Sequence, residues 1–208
     1  MIATYNTNVG DVLMLIVAND KGQKVSFERK GKVARVFVEE TKETVAWNIF
    51  EAKSLIPNLS VNGQVELSAD DIEVLNKELG KSGFTELLVH DIQAKFVVAE
   101  IVEMEDHPDS DHLHICKVNA GFADPVQIVC GAPNAAVGLK TVAALPEAMM
   151  PNGALIFSGA LRGIASYGML CSARELALPN APEVRGIIEL PDNLVAGTAF
   201  DAATMWQA

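Results

Sequence analysis

Residues 96–121 read FVVAEIVEMEDHPDSDHLHICKVNAG. Phe96 to Met104 is a run rich in β-branched and apolar residues, His107-Pro108-Asp109 is a turn, and His112 to Val118 is a second run. Strand, turn, strand is the pattern this predicts. The same texture continues through Val126–Cys130, Lys140–Leu145, Ala154–Phe157 and Gly186–Leu190, separated by Asn119–Asp124, Gly131–Gly138 and Pro151-Asn152-Gly153. Helical periodicity is almost absent. Five or six short strands within about 100 residues predict a small closed barrel.

Upstream the pattern differs. Val12–Val17, Lys24–Phe27, Lys32–Val38 and Thr44–Phe50 read as short strands broken by Asn19-Asp20, Gly22 and Gly31. Alternation along Lys32–Val38 predicts one buried and one part-wet face. A helix then follows, with Ser68 as N-cap, Asp70 and Asp71 in its first turn, Ile72, Leu75 and Leu79 on one face, and Gly80 or Gly83 as its stop. The expected division is an α+β domain over residues 1–90 and a barrel over 91–208, with the seam in Glu86–Lys95.

The chain has 208 residues, of which 50% are hydrophobic and 21% charged, enough apolar content for a sizeable core. The longest apolar run, Val12–Ala18, is seven residues, whereas a membrane helix needs about 20. No basic-then-apolar leader follows Met1, so neither a membrane span nor a secretion signal is expected. An odd, small number of cysteines, Cys116, Cys130 and Cys171, predicts reduced thiols in a cytoplasmic protein.

Charge runs against one class of partner. Sixteen basic and 27 acidic side chains give −11, which disfavours polyanions electrostatically. Residues 1–90 carry 10 basic and 13 acidic groups, and residues 91–208 carry 6 and 14, a net −8. Lys21, Lys24, Arg29, Lys30, Lys32 and Arg35 cluster in the first part. Two readings stand for them: a solvated hairpin, or a phosphate-facing patch.

Candidate chemistry is sparse. His112, His114 and Cys116 alternate, and His107, Asp109 and Asp111 lie close by, which are zinc-ligand types. Three ligands on one flat strand do not converge on a tetrahedron, so no metal is expected. Gly163-Ile164-Ala165-Ser166-Tyr167-Gly168 lacks the G-x-S-x-G spacing of a nucleophile elbow. Cys130 and Cys171 sit among apolar neighbours, as buried thiols do. Neither G-x-G-x-x-G nor a P-loop occurs. No enzymatic activity and no cofactor are expected.

Five ordered segments carry a resemblance: HPDSDHLHICKVNAG (107–121), QIVCGAPNAAVGLKTVAA (127–144), ALRG (160–163), SYGMLCSARELAL (166–178) and GIIELP (186–191). Together they resemble the tRNA-binding OB-fold domain found near the N-terminus of bacterial phenylalanyl-tRNA synthetase beta subunits and in free-standing tRNA-binding proteins. ETKETVAWNIFEA (40–52) and the following helix extend the likeness to the free-standing YtpR-like type. The resemblance implies an α+β N-terminal domain followed by an all-β OB-fold barrel, non-catalytic, recognising tRNA by shape and backbone. It leaves the role of the N-terminal domain open.

Lys117, Lys140 and Arg162 are the expected phosphate contacts, with Lys95 and Arg174 as further cations. Ser166 and Met169 stand at the family's S-x-G-M signature, and Asn134, in GAPN, is a candidate hydrogen-bonding loop residue. His112 and His114 occupy positions where the family commonly carries Lys or Arg. A histidine ordinarily gains its charge only below about pH 6.5, and charging all four would move the chain from −11 only to −7. With six cations in residues 91–208, the log–log salt slope of that domain is expected to be no steeper than about −5. The resemblance also implies homodimers. Val195–Ala208 is the candidate contact, Trp206 reading equally well as a barrel-end cap. The rival class is a protein-interaction or chaperone-like OB module that has lost strong RNA binding.

Overall fold

The structure is a computed structural model that describes residues 1–60 and 62–206. It divides into two compact units, Met1–Ile92 and Gln93–Ala208. No helix among the described residues is long and apolar enough to cross a membrane.

The first unit is one antiparallel sheet with one α-helix. Its strands are β1 (Ile2–Tyr5), β2 (Val12–Ile16), β3 (Val25–Lys30), β4 (Val33–Val38), β5 (Thr44–Phe50) and β6 (Gly63–Gln64), in the spatial order β3-β4-β5-β2-β1-β6. Helix α1 spans Ala69–Lys81. Ser68 caps it reciprocally: its hydroxyl accepts from the Asp71 N–H, and the Asp71 carboxylate accepts from the Ser68 N–H. That arrangement satisfies two otherwise orphaned donors. The helix runs through Gly80, and Gly83, at φ 79°, lies just past its end. Ile72, Leu75 and Leu79 pack on Leu13, Leu15, Val33, Trp47 and Ile49, so α1 covers one sheet face. In β4 the expected strict alternation is lost. Val33 and Ala34 are both buried, and the register against β5 slips between Val36 and Phe37.

Four members of the basic cluster have carboxylate partners: Lys24 with Glu39, Lys30 with Glu28, Lys32 with Glu51, and Arg35 with Glu28 and Glu86. Arg29 instead lies over the Phe50 ring, 3.7 Å from its centroid.

The second unit is mostly β. Its strands are β7 (Phe96–Asp106), β8 (His114–Asn119), β9 (Val126–Cys130), β10 (Lys140–Ala144), β11 (Gly159–Leu161), β12 (Ile164–Ser166) and β13 (Met169–Leu170). Five of them hydrogen-bond in the order β13-β10-β7-β8-β9, and β13 returns beside β9, so the sheet curls into a nearly closed barrel. Val97, Ala99, Ile101, Cys116, Val118 and Ile128 fill its interior. A second core lies around Val98, Val142, Cys171, Ile188 and Leu190. Met205, the last residue of α2 (Ala202–Met205), and Trp206 pack against it, and the Trp206 Nε1–H donates to the Pro179 carbonyl at 2.9 Å. Trp206 is thus seated against this core; Gln207 and Ala208 lie outside the described residues.

Two expectations are corrected here. Ala154–Phe157 is not a strand, since Leu155 makes only an isolated bridge with Met149. Gly186–Leu190 runs extended without a ladder, because Ile188 donates to Cys171 and Leu190 to Lys140, two different neighbours. ALRG supplies the end of β11 and, in Arg162-Gly163, the turn of the β11–β12 hairpin.

Candidate nucleic-acid interface

The loop between β7 and β8 is a tight, closed turn. The His107 N–H donates to the Leu113 carbonyl at 3.0 Å and the Ser110 N–H to the His107 carbonyl at 3.2 Å. The His107 ring is 3% exposed. Its Nδ1 accepts from the Asp109 N–H at 3.1 Å, which leaves the ring proton on Nε2, facing the Leu161 carbonyl at 3.2 Å. Leu161 belongs to the β11–β12 hairpin. In return, the Arg162 Nη1–H donates to the Asp109 carbonyl at 2.7 Å. The motifs HPDSD and ALRG, more than fifty residues apart, are thereby clasped together by a bond in each direction.

Arg162 and Gly163 have φ of 47° and 83° and connect the directly paired Leu161 and Ile164. Positive φ at both central residues is the mark of a two-residue type I′ hairpin turn. The hairpin is fixed to β9. Val129 N–H donates to Ser166 Oγ at 3.1 Å, the Ser166 hydroxyl donates to the Gly168 carbonyl, Gln127 Nε2 donates to the Ala165 carbonyl at 2.8 Å, and Tyr167 N–H donates to the Gln127 carbonyl at 2.8 Å. Gly168 admits no side chain, because a Cβ there would stand 2.6 Å from the Ala144 carbonyl oxygen.

On β8, Lys117 Nζ donates to Gln127 Oε1 at 3.0 Å and faces Glu103 across the β7–β8 ladder. His112 precedes β8 rather than lying on it; it is 60% exposed, and its Nδ1 is 2.8 Å from Asp111 Oδ1. The His112 hydrogen bond, with the Asp111 N–H and the charges of His112 and Arg162, holds the Asp111 carboxyl below its usual range. His114 Nδ1 stands 3.2 Å from Asp106 Oδ1 without hydrogen-bonding geometry.

His112, Lys117, Arg162 and Ser166 therefore gather on the clasped loops and the β8–β9 surface. Lys140, Asn134 and Met169 are placed differently. Lys140 Nζ donates to the Asp192 and Leu194 carbonyls, both at 2.6 Å. The Asn134 amide bonds Ile187 through both its N–H and its oxygen, and also donates to Glu189. Met169 packs against the outer core. His107, expected only as a turn residue and zinc-ligand type, is instead the buried clasp of the hairpin, and Gln127 and Tyr167 join the site unforeseen. The two-residue Arg162-Gly163 link between apolar pairs was the available signal for the hairpin; nothing local marks His107 as its partner.

The zinc-like set does not assemble. Cys116 points into the barrel and His107 toward the hairpin, and no group of three His, Cys, Asp or Glu among the described residues could hold a metal ion. Burial pushes the Cys116 and Cys171 thiols up to about 12 and raises that of Cys130.

Comparison with known proteins adds sequence similarity to this geometry. Residues 96–199 match the family model described as "Putative tRNA binding domain", and residues 20–91 match a "Domain of unknown function (DUF4479)". The "Putative tRNA-binding protein YtpR" of Bacillus subtilis (strain 168) is 43% identical over 201 residues, covering 96% of this chain and 99% of that protein. The phenylalanine–tRNA ligase beta subunit of Dechloromonas aromatica (strain RCB) is 48% identical over 104 residues, which are 50% of this chain but 13% of that subunit. A solved structure, the C-terminal domain of Plasmodium vivax p43, aligns at 23% identity and a TM-score of 0.38, covering 52% of this chain and 61% of that one. With 43% identity sustained over nearly the full length of both proteins, the chain belongs to the YtpR family.

Proposed function

We propose that this chain binds tRNA without catalysing a reaction, through the barrel of its second unit, which we read as an OB fold. One observation carries the reading. Numbered from β7, the barrel strands follow one another around the wall as first, second, third, fifth, fourth. An OB fold is a five-stranded, partly open Greek-key barrel that binds oligonucleotides on its second and third strands and on the loops after its first and fourth strands. Here those parts are β8 and β9, the 107–113 loop and the connection carrying β11–β12, and they are the parts that the His107–Leu161 and Arg162–Asp109 bonds join. The family-model match over residues 96–199 supports the same assignment.

Arg162, Lys117 and His112 are the side chains we assign to backbone phosphates and sugar hydroxyls, with His114 beside them and Ser166 fixing the hairpin. We read Lys140, Asn134 and Met169 as serving the fold, since the first two are engaged by its own carbonyls and amides and the third packs on the second core. Three buried thiols with raised pKa offer no thiolate nucleophile, in keeping with a binding role. Pairing of two copies through the C-terminal region would present the surface twice, and sedimentation of the full chain tests it.

The direct experiment titrates bulk tRNA into the full chain at low and at physiological salt. Binding at low salt that weakens as salt rises is the expected result. Absence of binding at low salt would overturn the proposal.

A further inference from the structure

We propose that Tyr167 is a stacking platform for an unpaired base of the bound RNA; the inference rests on the tRNA reading above. The second unit has six aromatic side chains, Phe96, Phe122, Phe157, Tyr167, Phe200 and Trp206. Phe96, Phe200 and Trp206 pack on the outer core, Phe157 is half-buried, and Phe122 sits in the β8–β9 turn. Tyr167 is the one at the candidate interface, 47% exposed, directly after β12 and hydrogen-bonded through its own N–H to Gln127.

Its mount is rigid. Ser166 is tied to Val129 and Gly168, Tyr167 to Gln127, and Gly168 is closed against the Ala144 carbonyl. A ring carried on a fixed backbone has only its own side-chain torsions to lose when a base settles on it. The side chain also meets a need set by the surrounding charge. Lys117 is engaged by Gln127 and faces Glu103, His112 is paired with Asp111, and Arg162 is bonded to the Asp109 carbonyl. A surface whose cations are already engaged draws less from phosphate, whereas stacking on an aromatic face needs no cation. The ligand chemistry this fits is an RNA with unstacked bases, as in tRNA loops and ends, rather than a continuous duplex.

The test compares the unaltered full chain with Tyr167→Phe, Tyr167→Leu and Tyr167→Ala, titrated with bulk tRNA and with a blunt RNA duplex across a salt series. Thermal melting confirms that each variant is folded, and Leu keeps apolar bulk without a π-face. Tyr167→Phe is expected to bind tRNA within about twofold of the unaltered chain. The Leu and Ala variants are expected to lose about 5- to 150-fold, the range of one stacked base, with unchanged salt slope and unchanged duplex binding. Tyr167→Leu binding tRNA as well as the unaltered chain overturns the inference while leaving the tRNA reading intact. So does Tyr167→Phe binding as weakly as Tyr167→Ala, which would make the hydroxyl the contact. If the unaltered chain binds no tRNA, both fall together.

Discussion

Arg162 combines two demands in one position. Its backbone sits at φ 47°, a conformation that costs a non-glycine residue about 1–3 kcal/mol unless its surroundings hold it there. Its guanidinium is held by the Asp109 carbonyl yet keeps further N–H groups for a ligand. Asn tolerates the same backbone, so Arg162→Asn separates the two demands. The variant should melt close to the unaltered chain, bind tRNA more weakly, and show a log–log salt slope shallower by about 1. An unchanged slope would remove Arg162 from the phosphate contacts. The thiols make a different single-residue argument. The unfolded-state value is near 9, whereas burial lifts Cys116 and Cys171 to about 12 in the fold. Between those limits the unfolded chain binds fewer protons than the native one, so stability falls as pH rises. The contribution is complete below about pH 9 and gone by about pH 12. Urea midpoints followed upward from pH 8 should therefore decline. A thiol reagent at pH 8 should find three groups only after unfolding.

At the scale of elements, the clasp joins the 107–113 loop to the β11–β12 hairpin, the two loops of the candidate interface. His107→Phe keeps the ring's bulk but leaves the Asp109 N–H and the Leu161 carbonyl without their partners. Each lost hydrogen bond at these part-exposed groups costs about 0.5–1.5 kcal/mol. Hydrogen exchange should speed up in segments 107–111 and 159–163 with β7–β9 left protected, and tRNA affinity should drop. Unchanged exchange in those segments would mean that the loops hold their positions independently. The same clasp marks the limit of what the sequence discloses. α1 was legible because its cap, its first-turn acids and Ile72, Leu75 and Leu79 are all local signals. So were β7 and β9, whose apolar runs are bounded by turns. The β11–β12 hairpin was not, since three-residue strands have no room for a period and its turn places an arginine where Asn or Gly is customary. Gly186–Leu190 misled for the opposite reason: its apolar residues face the two cores, but its backbone donors go to two partners. Within the candidate site, Arg162, Lys117 and Ser166 were legible from motif position. The engagement of Lys140 and Asn134 was not, because their partners lie more than fifty residues away.

For the whole molecule, a charge of −11 bears on how the protein binds rather than on whether it does. Of the six cations beyond residue 90, Lys95 is paired with Glu147 and Lys140 is held by two carbonyls. Four remain, Lys117, Arg162, Arg174 and Arg185, and at about 0.9 per phosphate neutralised they support a slope near −4. The first unit could steepen this through a cation without a carboxylate partner among the described residues, such as Arg29 over Phe50, or by opening ion pairs such as Lys24–Glu39, Lys30–Glu28 and Lys32–Glu51. Surface pairs of this kind hold together by only about 0–1 kcal/mol, so their resistance to an incoming phosphate is small and has to be measured. We expect the full chain to give a tRNA salt slope no steeper than about −5, and Lys24→Gln combined with Lys30→Gln to leave it unchanged. A steeper slope that the double substitution flattens by about 2 would place phosphate on the 24–35 cluster and make the first unit part of the RNA surface. An unaltered slope in that variant, beside the loss of about 1 expected from Arg162→Asn, would leave Lys24 and Lys30 out of the phosphate contacts and keep Arg162 among them.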